Sequence, residues 1–209
     1  MTVNIAKVQP QKRNKNRFNL YTEEGFLISL SYETLLKFHI REGGALEEEE
    51  LEQVRAEDTV KYAKEQAMQY VAYATRSHRQ VEQQLAKKGV DEQSIAGAVE
   101  TMKKYGYIDD AAYVQEFVRS YAKRMGAQAI RQKLMQNGVS GRVVEENLSL
   151  SDEAQLETAC VILAKQAKKY QKLEPQKAKQ RMYAMLARRG FSGEVIRRAM
   201  ARAGESLDE

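Results

Sequence analysis

The chain has 209 residues, of which 43% are hydrophobic and 30% charged, and its net charge is +5. This composition excludes a disordered chain and allows one large or two small folded domains. No apolar run approaches the roughly 20 residues of a membrane-spanning helix, and two prolines among many Glu, Lys, Gln, Ala, Leu and Arg residues favour helices.

The N-terminal region differs from the rest of the chain. Three segments have strand-like composition: Val3–Val8, Arg17–Tyr21 and Phe26–Leu30. Glu23-Glu24-Gly25 is a turn candidate between the last two. We therefore predict a small β-hairpin or three-stranded sheet. Ser31 is expected to cap a short helix that runs to about Ile40 and is broken at Gly43-Gly44.

An acidic stretch follows at residues 42–58, where eight acids stand against Arg55. It is predicted to be helical from Leu46 and to run brokenly into a long amphipathic helix. That helix is expected from about Asp58 to Thr75, with Asp58 as its N-cap.

The rest of the chain contains an internal repeat centred on three glycines about fifty residues apart, Gly89, Gly138 and Gly190. Four residues before them stand Leu85, Leu134 and Leu186, and directly after them stand Val90, Val139 and Phe191. Further apolar residues stand eight before, six after and ten after each glycine: Val81, Ile95, Val99; Ile130, Val144, Leu148; Met182, Ile196, Met200. This spacing predicts apolar faces on two helices separated by a glycine turn.

The turn has a physical explanation. A glycine just past a helix end adopts the left-handed conformation without steric cost, and the apolar residue after it packs on the leucine. The next residue can cap the following helix: Asp91, Ser140 and Ser192. Ser77 and Gln80 form a capping-box pattern before the first turn, and Pro175 suits a first helical turn.

A longer amphipathic helix precedes each helix pair, with Asp58, Asp109 and Ser151 as predicted N-caps. The predicted fold is mainly α, with three tandem three-helix repeats in an elongated stack after a small N-terminal β-containing segment with a helix. The predicted divisions are the N-terminal extension 1–57, repeat 1 at 58–108, repeat 2 at 109–150, repeat 3 at 151–204 and a tail at 205–209. Stacked repeats present a long face that suits a macromolecular partner.

Residues for catalysis or metal binding are scarce. His39 and His78 stand far apart without neighbouring Cys or His, and Cys160 lies on an apolar helical stripe, where an inert buried thiol is expected. Asp109-Asp110 is better explained as a helix start than as a carboxylate pair. We predict no catalysis, cofactor or metal. One cysteine and no signal peptide favour the cytoplasm.

The charge is unevenly distributed. Residues 160–202 contain 12 Lys or Arg against two acids, and a second basic stretch holds Lys7, Lys12, Arg13, Lys15 and Arg17. Such asymmetry favours an anionic partner; the alternative is solvated helix faces. A base-reading helix-turn-helix is also open, but the leucine before each glycine and the threefold repetition favour a stack over it.

The repeats resemble the RecX family, bacterial regulators of the RecA recombinase. The residues that carry this resemblance are Arg76-Ser77 before Val81 and Leu85; Tyr107-Ile108-Asp109-Asp110; Phe117-Val118-Arg119-Ser120; Gly126 with Ile130, Arg131 and Leu134; and residues 186–192 with Ile196. The N-terminal segment looks like the β-containing extension of longer members. Ala74 and Ala127 depart from the pattern, where a basic residue and a proline are expected.

The resemblance implies a non-catalytic protein that lies in the groove of the RecA–DNA filament and restrains its growth, strand exchange and ATPase activity. The candidate contacts for filament and DNA are Arg76, Arg79, Lys87, Lys88, Arg119, Lys123, Arg124, Arg131, Lys133, Arg188, Arg189, Arg197 and Arg198. Arg188 and Arg189 are favoured because a motif match coincides with a charge cluster. Contacts to single- and double-stranded DNA are expected to be weak and electrostatic, and the protein to be a monomer. Two rivals stay open: a non-specific DNA-binding protein without a recombinase partner, and a protein-only scaffold.

Overall fold

The computed structural model describes residues 1–170 and 173–205, which are mainly helical. The strands are β1 (Thr2–Asn4), β2 (Lys7–Pro10), β3 (Arg17–Thr22), β4 (Gly25–Ser31) and β5 (Ala45–Glu47). The helices are α1 (Tyr32–Lys37), α2 (Glu48–Tyr73), α3 (His78–Ala86), α4 (Glu92–Lys104), α5 (Asp110–Tyr121), α6 (Ala127–Gln136), α7 (Gly141–Asn147), α8 (Asp152–Tyr170), α9 (Pro175–Arg188) and α10 (Gly193–Glu205). The predicted fold class is confirmed. The predicted tail at 205–209 lies outside the described residues except for its first residue.

The chain packs as two units. Unit 1 comprises Met1–Tyr73 and Val81–Tyr107, and unit 2 comprises Ala74–Gln80 and the described residues from Ile108 onward. Helix α3 therefore begins in unit 2 and continues in unit 1. None of the helices within the described ranges is long and apolar enough to cross a membrane.

Unit 1 begins with two small sheets. Strands β2, β3 and β4 form an antiparallel sheet, while β1 pairs with β5. The prediction of one strand over Val3–Val8 is therefore wrong in detail. The backbone of Ile5 forms hydrogen bonds with Gly43 and Gly44, just before β5, whereas Ala6 N donates to the Tyr21 carbonyl in β3. The chain therefore passes from one sheet to the other between Ile5 and Ala6. Strand β5 was not predicted, because its three residues carry no pattern of their own.

Helix α2 corrects the predicted role of Asp58. The helix begins at Glu48 and runs unbroken to Tyr73, so Asp58 lies in its interior and does not cap it. The Asp58 carboxylate is buried and accepts hydrogen bonds from Ser31 N, Thr34 Oγ1 and Arg17 Nη2, each at 2.8 Å. Because these three donors satisfy the carboxylate, Asp58 can be buried inside the helix without the free backbone amides of a helix N-terminus. The apolar core beside it contains Ile5, Leu20, Leu30, Leu35, Leu46, Leu51 and Val54.

The three glycine turns are as predicted. Gly89, Gly138 and Gly190 have φ of +77°, +86° and +82°. In each turn the amide after the glycine bonds back to the leucine carbonyl, at 3.1 to 3.3 Å. The three caps are confirmed too, since Asp91, Ser140 and Ser192 each accept from the amide three residues on. These local bonds satisfy backbone groups that a helix end leaves unpaired.

The other predicted helix starts are also confirmed. Asp109 accepts from two amides at the start of α5, and Ser151 accepts from Ala154 N before α8. Ser77 and Gln80 exchange both bonds of the capping box at 3.2 and 3.3 Å. Pro175 occupies the first turn of α9. Ser31 accepts from Thr34 N and caps α1.

Repeats 2 and 3 each have a core of their own in unit 2. The first is built around Tyr113, Val114, Ile130, Leu134, Val139 and Val144, and the second around Leu156, Ala159, Ile162, Leu163, Leu186, Phe191, Val195, Ile196 and Ala199. Cys160 packs against the second core but is only half-buried, which corrects the expected full burial. Burial nevertheless raises the pKa of its thiol.

Candidate partner-binding surface

Two glycine backbones meet where repeat 2 joins repeat 3. Gly126 N donates to the Arg189 carbonyl at 2.9 Å, and Gln128 N donates to the Gly190 carbonyl at 3.1 Å. A Cβ atom on Gly126 would collide with the Gly190 carbonyl group, and one on Gly190 would collide with the backbone of Ala129. We call this contact the Gly126–Gly190 junction. It places the start of α6 against the turn between α9 and α10.

A buried glutamine strengthens the junction. Gln155 on α8 is 9% exposed, and its Oε1 accepts from Ala127 N at 3.0 Å. An amide at the first turn of a helix has no partner within the helix. The side chain from repeat 3 therefore completes the start of α6 in repeat 2, and the junction joins α6 to α8 and to the turn between α9 and α10.

Four of the predicted contact residues adjoin this junction. Lys123 and Arg124 end the segment just before Gly126, and Arg188 and Arg189 directly precede Gly190. Lys123, Arg124 and Arg188 are exposed, and Arg189 is half-buried. None of the four side chains pairs with a carboxylate in the described part of the chain. We call these four residues the junction cluster. It is a concentration of positive charge drawn from two repeats.

Three of the other predicted contacts, Arg119, Arg131 and Arg198, are paired with carboxylates of the same chain. Arg131 forms a two-point pair with Glu145, at 2.5 and 3.1 Å. Arg198 and Arg202 both reach Glu153 across repeat 3, at 3.2 and 3.1 Å. Arg119 pairs with Glu116 at 3.3 Å. Lys133 and Arg197 are exposed. The paired arginines would have to exchange partners to bind an external anion, so they are weaker candidates than the junction cluster.

The candidate contact residues near the glycine turn at Gly89 are divided between the two units. Lys87 and Lys88 are exposed in unit 1, just before Gly89. Arg76 and Arg79 belong to unit 2. The stem of Arg79 packs directly on Gly138, where a Cβ atom would collide with it. Arg79 thus has a packing role that the sequence did not indicate.

Between Arg76 and Arg79 in the sequence lies His78, which forms a pair with Asp110 that was not predicted from the sequence. His78 Nδ1 lies 2.6 Å from Asp110 Oδ2, and His78 N donates to Asp110 Oδ1 at 3.0 Å. Ser77 Oγ donates to the Asn137 carbonyl at 2.5 Å. The only sequence signal for the pair was a second acid after the Asp109 cap. Within the described ranges, no three His, Cys, Asp or Glu side chains are grouped to hold a metal ion.

The pairing of Arg131 with Glu145 can be measured by titration. The hydrogen bond from Arg131 lowers the pKa of the Glu145 carboxyl, so Arg131→Ala is expected to return that pKa toward the ordinary range. Because the pKa of Glu145 is depressed in the folded state, the pair contributes stability at pH values above the usual glutamate pKa. This stabilisation is lost as the pH falls through the pKa of Glu145 in the folded protein. Carboxyl ¹³C NMR would follow Glu145. Lys133→Ala is the control, and an equal effect of both variants would show that Arg131 is not the partner.

Comparison with known proteins gives the chain its family. Family models match residues 3–47 as the regulatory protein RecX N-terminal domain, and residues 63–102, 109–148 and 152–200 as the first, second and third RecX three-helix domains. A regulatory protein RecX of Clostridium botulinum (strain Alaska E43 / Type E3) is 32% identical over 196 residues, 92% of each chain. The chain belongs to the RecX family. The resemblance seen in the sequence is thereby confirmed.

Further relatives and solved structures agree with this. Regulatory protein RecX of Bacillus subtilis (strain 168) is 30% identical over 208 residues, which cover 98% of this chain and 79% of the relative. A crystal structure of regulatory protein RecX superimposes with a TM-score of 0.67 at 24% identity, covering 92% of this chain and 96% of that one. RecX from Lactobacillus salivarius gives a TM-score of 0.63 at 22% identity over 69% of this chain and 96% of that one. At these identities the structures support the RecX fold.

Proposed function

We propose that this RecX family protein is a non-catalytic regulator that binds the RecA–DNA filament in its groove and restrains ATP hydrolysis, strand exchange and filament growth. It acts as a cytoplasmic monomer in DNA recombination and repair. The observation that carries the proposal is the junction cluster in a chain of this family. Unpaired positive charge is concentrated on a hydrogen-bonded contact between two repeats, in Lys123, Arg124, Arg188 and Arg189.

The chemistry of the cluster suits such a filament. A nucleoprotein filament offers DNA phosphates and protein carboxylates, and arginine can bind either with two parallel hydrogen bonds. The backbone bonds of the Gly126–Gly190 junction fix the positions of both repeats before binding, so little ordering is needed when the partner arrives. Binding therefore has to order the four side chains but not the backbone that carries them.

The test is the single-stranded-DNA-dependent ATPase activity of the cognate RecA, titrated with this protein far below equimolar ratio. The wild-type protein is expected to lower the rate. The double variant Arg188→Ala with Arg189→Ala should need about tenfold more protein for the same effect, which corresponds to about 1.4 kcal/mol. Its melting temperature should change little because Arg188 is exposed and Arg189 binds Gly126 only through its carbonyl.

The matched control is Lys168→Ala with Lys169→Ala. These two lysines are adjacent and exposed near the end of α8, so the same charge is removed from the same repeat away from the junction. The control should retain wild-type inhibition within about twofold, since distant surface charges contribute little. Equal loss in both variants would reject the junction cluster as the contact. No effect of the wild-type protein at saturation would reject the regulator proposal itself.

A second function, non-specific DNA binding without RecA, is favoured by the charge of residues 160–202, with 12 Lys or Arg against two acids. The two functions differ in their response to salt. A protein that binds DNA phosphates alone loses affinity steeply as salt rises, with a slope set by the number of phosphates it neutralises. Tight, strongly salt-dependent binding to bare DNA together with no effect on the recombinase would favour this alternative.

A further inference from the structure

A second site is indicated in unit 1, around the buried side chain of Arg17. The residue is 8% exposed. Its Nη2 donates to Asp58 Oδ2 at 2.8 Å and to the Ser29 carbonyl at 2.7 Å, and its guanidinium lies over the Tyr62 ring at 4.7 Å. The other terminal nitrogen, Nη1, is buried and has no hydrogen-bond partner among the described residues. A buried guanidinium N–H without an acceptor is uncommon in native proteins and requires an explanation.

Arg17 lines a cavity of about 460 Å³, within the size range of small-ligand sites. The other side chains around it are four amides and two hydroxyls: Gln11, Asn14, Gln66, Gln69, Ser29 and Tyr62. Of the described residues that line the cavity, none carries a carboxylate. The Asp58 carboxylate lies behind the guanidinium, where it accepts from Ser31 and Thr34 as well as from Arg17. The lining is therefore polar and rich in hydrogen-bond donors.

The bonds already formed show which donors remain. Gln11 Nε2 donates to Ser29 Oγ at 2.8 Å, so the hydroxyl proton of Ser29 is left to donate elsewhere. Asn14 Oδ1 accepts from Asn16 N at 3.1 Å, which leaves its amide nitrogen as a donor. Together with Arg17 Nη1, these groups suit a ligand that presents several acceptor oxygens close together.

The charge of the adjoining loop points the same way. Gln11 and Asn14 belong to the loop between β2 and β3, and the same loop carries Lys12, Arg13 and Lys15, all exposed. Three cations beside a donor-rich cavity raise the local concentration of anions. These three residues belong to the second basic stretch of the sequence, which the junction cluster does not include.

We propose that this cavity binds a phosphate group carried by a nucleotide or by the end of a DNA strand. Arg17 Nη1, Ser29 and Asn14 donate to the phosphate oxygens, and the loop lysines and arginine attract the ligand. The site does not depend on the proposed filament function, because all of its residues lie in unit 1 and the junction cluster lies in unit 2.

The test is an NMR titration of the full chain, which follows the side-chain amides of Asn14 and Gln69. The probes are inorganic phosphate, dAMP, and a short single-stranded oligonucleotide with either a 5′-phosphate or a 5′-hydroxyl. Saturable shifts with phosphate-bearing probes are expected. Shifts with dAMP would identify a free nucleotide as ligand, and shifts with the 5′-phosphorylated but not the 5′-hydroxyl strand would identify a strand end.

Two chemically identical substitutions on α2 make the assignment specific. Gln69→Glu places a negative charge on the lining at an exposed position, and should weaken binding about tenfold through repulsion of the phosphate. Gln53→Glu places the same charge at an exposed position of α2 outside the lining, and should change affinity less than twofold. Absence of saturable shifts with every probe, or equal weakening by both variants, would overturn the site. Preserved amide dispersion confirms that each variant is folded.

Discussion

Replacing Asp58 with alanine is expected to lower the free energy of unfolding of unit 1 by about 3–5 kcal/mol, the cost of removing one partner from a buried ion pair. The Asp58 side chain is 4% exposed and that of Arg17 is 10% exposed. The substitution would leave the guanidinium buried without its counter-charge, and would deprive Ser31 N and Thr34 Oγ1 of their acceptor. Urea unfolding, with amide exchange measured in unit 1, would report the change.

The neighbouring residue supplies the control for Asp58. Glu57 forms an exposed pair with Lys37 at 2.5 Å, and Glu57→Ala should cost no more than about 1 kcal/mol because solvent screens such pairs. Replacing both partners, as Arg17→Met with Asp58→Leu, should recover much of the loss, since no charge is then left buried. If Asp58→Ala costs no more than Glu57→Ala, the buried pair does not stabilise unit 1.

Replacing Gly190 with alanine is expected to cost about 2–5 kcal/mol of unit 2 stability. Left-handed backbone costs an L-residue about 1–2 kcal/mol, and Gly190 has φ of +82°. A collision inside a packed region adds about 1–3 kcal/mol, and the new Cβ would meet the backbone of Ala129. Hydrogen exchange should also show lost protection at the amides of Gly126 and Gln128, which donate across the junction.

Gly89→Ala separates these two contributions. Gly89 forms the same kind of turn with φ of +77°, but no atom lies within 4 Å of the position its Cβ would take. Only the conformational cost of about 1–2 kcal/mol is therefore expected there. Matching losses for Gly89→Ala and Gly190→Ala, each measured from amides of its own unit, would argue that close backbone packing at the junction contributes nothing.

The sequence predicted the helix–turn–helix pairs well because their signals are local. The glycine, the leucine four residues before it and the capping residue two after it lie close together in the sequence. The hydrogen bonds that form the turn and cap the next helix join residues within a few positions of one another. The same reasoning explains the correct starts at Asp109, Ser151 and Pro175. Asp58 was misassigned because an acid before an apolar helix is typical of a cap, while its true partners lie far away in sequence.

The candidate contacts were predicted as a set of charges, of which the sequence favoured only Arg188 and Arg189 over the rest. Arg131 and Arg188 look alike in the sequence, yet Arg131 is paired with Glu145 and Arg188 adjoins the Gly126–Gly190 junction. Exposure, pairing and clustering depend on which segments meet in space. Counting lysines and arginines in this sequence therefore overestimates the number of cations that are unpaired and available to a partner.

The helical repeats and their capped glycine turns could be predicted from the sequence, because apolar periodicity and helix-end chemistry act over a few residues. The pairing of β1 with β5, the burial of Arg17 against Asp58 and the contact of Gly126 with Gly190 could be seen only in the folded chain. These contacts join residues distant along the chain. Such contacts form only where packing of the apolar cores brings the segments together, and no local pattern encodes that meeting.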